Sequence, residues 1–409
     1  MQSLISLNQL LWGGPILVLL LGIHIYYTIH LGLVQRKIRQ GIQLSLGSKE
    51  ERHGHGFSRF GSLTTTLAAT LGTGNIVGIS TAVFLGGAGA VFWCWITGIL
   101  GMATTYAETY LSGRLRWRDE RGHAHGGPMY ILRYTLHKRG LAFFYGIALC
   151  LSAFCIGCTT QSNAITEACA EAFHCPPVYT AIATAFVVGL VLMQGTNWIE
   201  RFSMAVVPTM TIFFFGGCSL YLLLHTDYLW PAFRQIFSSA FGLSSIGGGI
   251  AGYSLGKALR YGVGTAGLIA GSSLEKEPEK QALISMSATF WDTVVLCGIT
   301  GIVLVAYQLE YPTEWQSLSA GSLTTAAFGK LPLFGDKILA IAIVFFALAT
   351  LVGWSYLGKQ GFDYLLHGKA ELLYQAFYVL MIFAGGMMPL TLVWELTDFI
   401  NLFLLLPTV

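Results

Sequence analysis

Charge is scarce in this sequence of 409 residues: 23 Lys and Arg and 20 Asp and Glu make up 11% of it. A soluble chain carries about 25%. The hydrophobic fraction is 54% and the mean hydropathy +0.63. So little polar surface cannot coat one or two water-soluble domains, which excludes a cytosolic enzyme, a nucleic-acid binder and a secreted disulfide scaffold. A net charge of +3 gives no sign of an acidic partner. Catalytic signatures are missing too: no HExxH, no GxSxG and no paired mid-span carboxylates. Of the 8 cysteines, Cys94, Cys150, Cys155, Cys158, Cys218 and Cys297 sit in apolar runs, where cysteine acts as a small hydrophobe. Cys155 and Cys158 form a CxxC that reads as packing. Cys169 and Cys175 flank a loop and would pair only in an oxidising compartment. No basic stretch precedes the first apolar run and no small-residue cleavage site follows it, so the N-terminus reads as a retained span.

What the chain has is long apolar runs. A hydrocarbon core about 30 Å thick takes about 20 residues of helix. Eleven runs qualify: 11–34, 61–86, 88–112, 142–172, 178–195, 201–224, 242–272, 282–307, 336–366, 370–387 and 388–409. Their length excludes a β-barrel, whose strands span about 10 residues. The expectation is an all-α polytopic protein in a lipid bilayer. Basic residues crowd one set of loops: Arg36, Lys37, Arg39, Lys49, Arg52 and Arg59 after the first run, and Arg114, Arg116, Arg118, Arg121, Arg133, Lys138 and Arg139 after the third. Arg201, Lys276, Lys280, Lys359 and Lys369 fall on the same side, against Arg234, Lys330 and Lys337 opposite. That bias predicts an N-terminus outside and a C-terminus in the cytoplasm, in a bacterial inner membrane.

Two runs are poor helix. The second reads Thr64-Thr65-Thr66-Leu67-Ala68-Ala69-Thr70-Leu71-Gly72-Thr73-Gly74-Asn75-Ile76-Val77-Gly78. The seventh holds Gly247-Gly248-Gly249 and Gly262-Val263-Gly264-Thr265-Ala266-Gly267. Glycine frees the backbone to unwind, although small residues also allow close helix packing without unwinding. Setting the first run aside puts an interruption in the first helix of each of two five-helix halves, the sequence pointer to a transporter's central site. The organisation predicted is an extra N-terminal helix with a basic cytoplasmic loop (1–60), a first repeat (61–224) and an inverted second repeat (242–409). Half-helix N-termini would present free N–H groups to an anionic substrate group, and unwound carbonyls would offer oxygens to a cation.

At Gly72-Thr73-Gly74-Asn75-Ile76 the chain resembles the alanine or glycine:cation symporter family, sodium-coupled amino-acid carriers of the leucine-transporter fold. The likeness continues through Leu85-Gly86-Gly87-Ala88-Gly89-Ala90-Val91-Phe92-Trp93, Gly101-Met102-Ala103-Thr104 with Glu108, and Gly126-Gly127-Pro128-Met129-Tyr130. It extends to Gln161-Ser162-Asn163, Asp292-Thr293, Thr350-Leu351-Val352-Gly353-Trp354-Ser355-Tyr356, Val393-Trp394 and Asp398. The resemblance implies a substrate site of Thr73, Gly74, Asn75, Gln161, Thr350 and Trp354. Backbone N–H groups near Gly74 would take a carboxylate, Gln161 an ammonium, and Trp354 would cap a pocket sized for alanine or glycine. It also implies a Na⁺ site between the Ala68 and Leu71 carbonyls and the Thr350 hydroxyl. It implies no cofactor, with Na⁺, or alternatively H⁺, as coupling ion. The chain departs from the family where Ser-Asn-Glu-Ala-Gly would follow Arg260, where Ala349 replaces a hydroxyl residue, and at Pro407-Thr408-Val409, where a shortened last helix is expected.

An ionisable residue inside a span is a functional candidate by default. Lys257 and Arg260 read as snorkelling beside the second interruption, with Asp292 a partner for either. Glu108 reads as pairing with Arg114 or Arg116, and Asp398 as a cap. The pairs His53/His55 and His123/His125 lie in basic loops without the spacing of a metal site. Trp93, Trp95, Trp12 and Trp230 read as interfacial anchors or packing. Secondary transport of alanine or glycine is the leading function. A sensor or uncoupled facilitator on the same fold is the alternative, and a membrane-embedded transferase a weaker one.

Overall fold

The computed structural model describes residues 14–47, 56–118, 124–242, 265–332 and 335–389, with 393, 397, 400, 403 and 404 beyond them. The first apolar run forms α1 (Gly14–His30), which turns through 68° by way of Val34 into α2 (Ile38–Leu46), a helix along the first basic loop. The second run is α3 (Arg59–Thr70) and α4 (Ile79–Gly86), bent by 56° about a π turn at Gly74–Gly78. Then come α5 (Gly89–Arg114), a pair of two-residue antiparallel strands, β1 (Trp117–Arg118) and β2 (Ala124–His125), and α6 (Arg139–Phe173). Next are α7 (Pro177–Met193), α8 (Thr196–Leu224) and α9 (Thr226–Ser239). Beyond residue 264 lie α10 (Ala266–Gly271), α11 (Pro278–Glu310), α12 (Pro312–Ser317), α13 (Leu323–Gly329), α14 (Gly335–Leu366) and α15 (Glu371–Met387).

Among the described residues five helices are long and apolar enough to cross a membrane, seven if each bent pair counts as one, and α7 and α15 are shorter apolar helices. Most of the seventh run, with Gly247-Gly248-Gly249, Lys257, Arg260 and Gly262–Gly264, lies outside the described residues. So do Trp12, His53, His55, His123, Trp394, Asp398, most of the eleventh run and Pro407-Thr408-Val409.

Threonine is usable inside the buried α3 because its hydroxyl can bond back to the preceding turn. Thr64 donates to the Phe60 carbonyl at 2.9 Å and Thr66 to that of Ser62 at 2.8 Å. The start of α3 is pinned by a carboxylate. Glu200 of α8 accepts the Ser58 N–H at 2.9 Å and its hydroxyl at 2.6 Å, placing negative charge where a helix dipole favours it. Ser58 in turn caps the helix by accepting the Gly61 N–H.

Helix contacts run through small residues, as membrane bundles require. Gly98 and Gly301 let α5 and α11 approach: a Cβ on Gly98 would lie 2.8 Å from Thr293, and one on Gly301 2.7 Å from Val91. Around them sits one apolar core drawn from α3, α4, α5, α8, α11, α13 and α14, and a second from α6, α7, α14 and α15. Trp93 and Trp95, expected as anchors or packing, pack on α9: Trp93 Nε1 donates to the Ala240 carbonyl at 2.6 Å and Trp95 stacks on Phe233. Trp230 is 76% exposed.

Candidate functional site

The site is built where α3 stops. Leu71 leaves the helical region (φ −76°, ψ 84°) and regular hydrogen bonding resumes only in the π turn at Gly74. Backbone freed at membrane depth must be paired by neighbours. Here the neighbours are side chains of α6 and α14. Thr350 donates its hydroxyl to the Leu71 carbonyl at 2.9 Å, sharing it with Phe346 of its own helix at 2.9 Å. Trp354, one turn on, donates its indole N–H to the Ala69 carbonyl at 2.9 Å. Between them Gly353 lies against the Ala68–Ala69 peptide, where a Cβ would come within 2.8 Å of the Ala69 nitrogen.

From the other side comes Gln161. Its Oε1 accepts the Thr73 N–H and hydroxyl, both at 3.4 Å, and its Nε2 donates to the Ile156 carbonyl at 3.3 Å. A Cβ on Gly72 would meet Gln161 Nε2 at 3.3 Å, Thr350 Oγ1 at 3.3 Å and Gln161 Oε1 at 3.4 Å. Gly72 is therefore the point on which Gln161 and Thr350 converge. The long 3.4 Å bonds to Thr73 are weak, so the donors there are easily given up to a better acceptor.

Asn75 faces another neighbour. Its side-chain amide donates to the Asp292 carboxylate of α11 and lies 3.5 Å from the Asp292 carbonyl. Of the expected site residues, Thr73, Gln161 and Thr350 thus gather around Gly72, and Gly74 opens the π turn. Asn75 points to α11, and Trp354 is fully buried behind the break rather than at its mouth. Of the expected ion ligands, the Leu71 carbonyl accepts from the Thr350 hydroxyl, and the Ala68–Ala69 peptide lies beside Gly353.

Among the described residues three π segments lie within the spans, and each carries or touches the site. They are Gly74–Gly78 itself, Ala153–Thr159 in α6 and Phe290–Cys297 in α11. A π segment displaces carbonyls from the regular ladder and is frequent at functional sites. In α6 this frees the Ile156 carbonyl for Gln161 and the Gly157 carbonyl for Tyr378 of α15 at 3.3 Å.

A cavity of about 170 Å³ opens between α6, α13 and α14, lined by Ala168, Glu171, Ala172, Thr325, Asp336, Leu339, Ala340 and Ile343. Ala168 and Ile343 are each seven residues, two helical turns, from Gln161 and Thr350, and so share their helix faces. At 1.5 Å per residue the cavity lies roughly 10 Å along the same stripe. Thr325 brings α13 to the cavity, and its neighbour Thr324 donates to the Ile76 carbonyl at 3.4 Å and pairs with the Ser80 hydroxyl.

The opposite end of the bundle is tied shut. Phe57 forms a parallel bridge to Ser273, with Leu274 N–H donating to the Phe57 carbonyl at 2.8 Å. Arg59 Nε meets Glu275 at 2.6 Å. Burial raises the Glu275 carboxyl, but the Glu277 N–H and the Arg59 guanidinium together hold it below the ordinary value of 4.5. Glu108, expected beside Arg114 or Arg116, accepts the Gly267 N–H at 2.8 Å at the start of α10. Arg116 donates to the Ala270 and Ser273 carbonyls at its other end, both at 3.1 Å. An ion pair between Asp292 and Lys257 or Arg260 falls outside the described residues. The cysteines of the described chain are free, and no group of three His, Cys, Asp or Glu among the described residues is placed to hold a metal.

The family model described as the sodium:alanine symporter family matches residues 1–409. A sodium/alanine symporter of Methanococcus maripaludis, AgcS, is 38% identical, over 97% of this chain and 90% of that protein. A probable sodium/glutamine symporter of Bacillus subtilis, GlnT, is 29% identical over 96% and 83%. Among solved structures, MhsT in complex with L-phenylalanine superposes with a TM-score of 0.64 at 14% identity, over 87% of each chain. The fold is therefore the leucine-transporter fold, all-α and polytopic, as the sequence led one to expect.

Proposed function

Because this chain belongs to the sodium:alanine symporter family, we propose that it carries alanine or glycine together with Na⁺ by alternating access. It is a multi-pass membrane transporter of a sodium-coupled family and not an enzyme. The observation that carries the finer reading is the convergence of Gln161 and Thr350 on Gly72 inside a broken helix, with a cavity two turns away on the same helix faces.

A zwitterion can be received there without ionised side chains. The substrate carboxylate takes the Thr73 N–H and hydroxyl from the Gln161 oxygen, which holds them only at 3.4 Å. The released amide oxygen of Gln161 then accepts from the substrate ammonium. The crowding at Gly72, where a Cβ would meet Gln161 Nε2 and Thr350 Oγ1 at 3.3 Å, favours small substrates, alanine and glycine, over glutamine. Na⁺ sits between the Ala68 and Leu71 carbonyls and the Thr350 hydroxyl, an all-oxygen set that suits a hard cation. Trp354, tied to Ala69, fixes the wall behind them.

In this reading the chain is an N-terminal helix followed by two inverted five-helix halves, 61–224 and 242–409. The Lys/Arg bias sets its N-terminus outside a bacterial inner membrane and its C-terminus in the cytoplasm. The Arg59–Glu275 end is then cytoplasmic and closed, and the cavity near Asp336 is the outer approach.

The test is uptake of labelled alanine and glycine into proteoliposomes under an imposed Na⁺ or H⁺ gradient, with glutamine as competitor. Saturable uptake driven by Na⁺ and weakly inhibited by glutamine is expected. Flux indifferent to both gradients points instead to an uncoupled facilitator, and binding without flux to a sensor.

A further inference from the structure

The elbow between α1 and α2 carries charge that the fold leaves unused. Its backbone turns at Gly32 and Leu33, both in the left-handed region, an unfavourable place for a leucine. Arg36, Lys37 and Arg39 follow, all exposed, and among the described residues none of them forms an ion pair. The same segment also exposes apolar side chains, Leu33 at 43% and Leu46 at 70%. Just before the elbow Tyr26 stacks on His30, where the apolar run ends and an interfacial aromatic belongs. Helix α2 then runs 68° from the line of α1. Cations and leucines on a helix laid across the end of a span suit a membrane–water boundary.

The other face of α2 is pressed against the bundle. A Cβ on Gly41 would run into the Leu283 carbonyl of α11, and Ser45 is buried. Val34 joins Met102, Ala103, Leu283 and Met286 in one apolar cluster. Two residues before Leu283, Gln281 donates to the Ser62 hydroxyl of α3 at 2.7 Å. That bond lies at the end of the bundle closed by Arg59 and Glu275. A shift of α2 is therefore felt where α3 and α11 meet.

We propose that this elbow docks the phosphate groups of anionic phospholipids, and that a bound headgroup steadies the closed end through α2. Guanidinium forks match phosphate oxygens, and juxtamembrane cations are drawn to anionic lipid surfaces. The exposed leucines beside them enter the acyl boundary, a contact that a soluble phosphate ion would leave unused. Lipid binding and closure of that end favour each other reciprocally. The site is separate from Gly72 and acts whatever amino acid is carried.

Labelling of a cysteine placed at Phe57 reads closure, with the parent chain as background. It is compared in nanodiscs of phosphatidylcholine with and without phosphatidylglycerol. Melting curves of the full chain in detergent with added phosphatidylglycerol read binding. The anionic lipid is expected to slow labelling about tenfold and to raise the melting temperature by a few degrees. Arg36→Gln, Lys37→Gln and Arg39→Gln together should lose both effects. Lys138→Gln, Arg139→Gln and Lys369→Gln together remove equal charge from exposed positions elsewhere and should keep both. If the elbow triple does not fold, Arg39→Gln alone decides, with a partial loss expected. Equal behaviour in the two lipids overturns the proposal, as does equal loss in the control triple. Inorganic phosphate that reproduces the melting shift also overturns it, since the elbow would then hold a soluble anion. Neither readout needs transport, so failure here and failure of symport in the uptake assay are told apart.

Discussion

The Trp354 indole N–H donates to the Ala69 carbonyl at 2.9 Å, so an aromatic residue of α14 satisfies a backbone group of α3 just before that helix ends. Both partners are buried. Trp354→Phe keeps most of the ring and removes the donor, leaving a carbonyl without its partner. A cost of about 1–3 kcal/mol is expected, read as a lower melting temperature in detergent together with weaker alanine binding. A melting curve identical to wild type would show that the bond carries no weight.

Behind the same ring, Gly157 has no room for a side chain. A Cβ there would lie 2.0 Å from the Trp354 Cβ, which is too close to the backbone of α14 for a rotamer change to relieve. Gly157→Ala should therefore push α6 from α14 and cost at least about 1–3 kcal/mol, as overpacking does. Fluorescence-detected size exclusion of the expressed variant reads this out directly.

Thr350 offers a cleaner separation of binding from folding. Thr350→Ser retains the hydroxyl that faces Leu71, whereas Thr350→Val keeps the shape and loses the oxygen. Half-saturation by Na⁺ should rise about tenfold, or roughly 1.4 kcal/mol, in the valine variant and stay near wild type in the serine one. Equal Na⁺ dependence in all three proteins would remove Thr350 from the ion's path.

The Arg59–Glu275 tie carries a pH dependence. The Glu275 carboxyl is held below its ordinary value of 4.5. Its contribution is thus fully present above that value and fades as pH falls through the lower folded one. Labelling of a cysteine placed at Phe57 should be slow and constant from neutral pH down to about 4.5, and accelerate only below it. Arg59→Ala should give fast labelling at every pH. Acceleration already near neutrality in wild type would contradict the depressed carboxyl.

Much of the bundle is legible in composition alone, because a bilayer imposes run length and loop charge directly. The break at Gly72–Gly74 shows in sequence for the same reason: two glycines and an asparagine make weak helix. Gln161 and Thr350 were reached through family resemblance, and their meeting at Gly72 needs the fold, since 88 residues separate Thr73 from Gln161 and 279 separate Leu71 from Thr350. Other features leave no local trace. Helix α9, rich in aromatic and polar residues, falls below any apolar threshold and reads as a loop. The turn between α1 and α2 depends on Gly32 and Leu33 in the left-handed region, and a leucine announces nothing of the kind. Asp292 meets the Asn75 amide, 217 positions away, a contact no local pattern announces. Glu108 and Arg116 also reach across the chain: Glu108 accepts the Gly267 N–H at one end of the short helix α10, and Arg116 donates to carbonyls at the other, contacts no local spacing announces.

Each π segment also holds one residue more per turn than an α-helix can accommodate. Deleting a single residue from Ala153–Thr159 would let the segment relax to regular helix while the turns on either side keep their faces. Gln161 would then stay in the cleft, but the Ile156 and Gly157 carbonyls would return to the helix ladder and be lost to Gln161 and Tyr378. A change of one residue in length can thus free or cover backbone acceptors beside a site without moving its side chains.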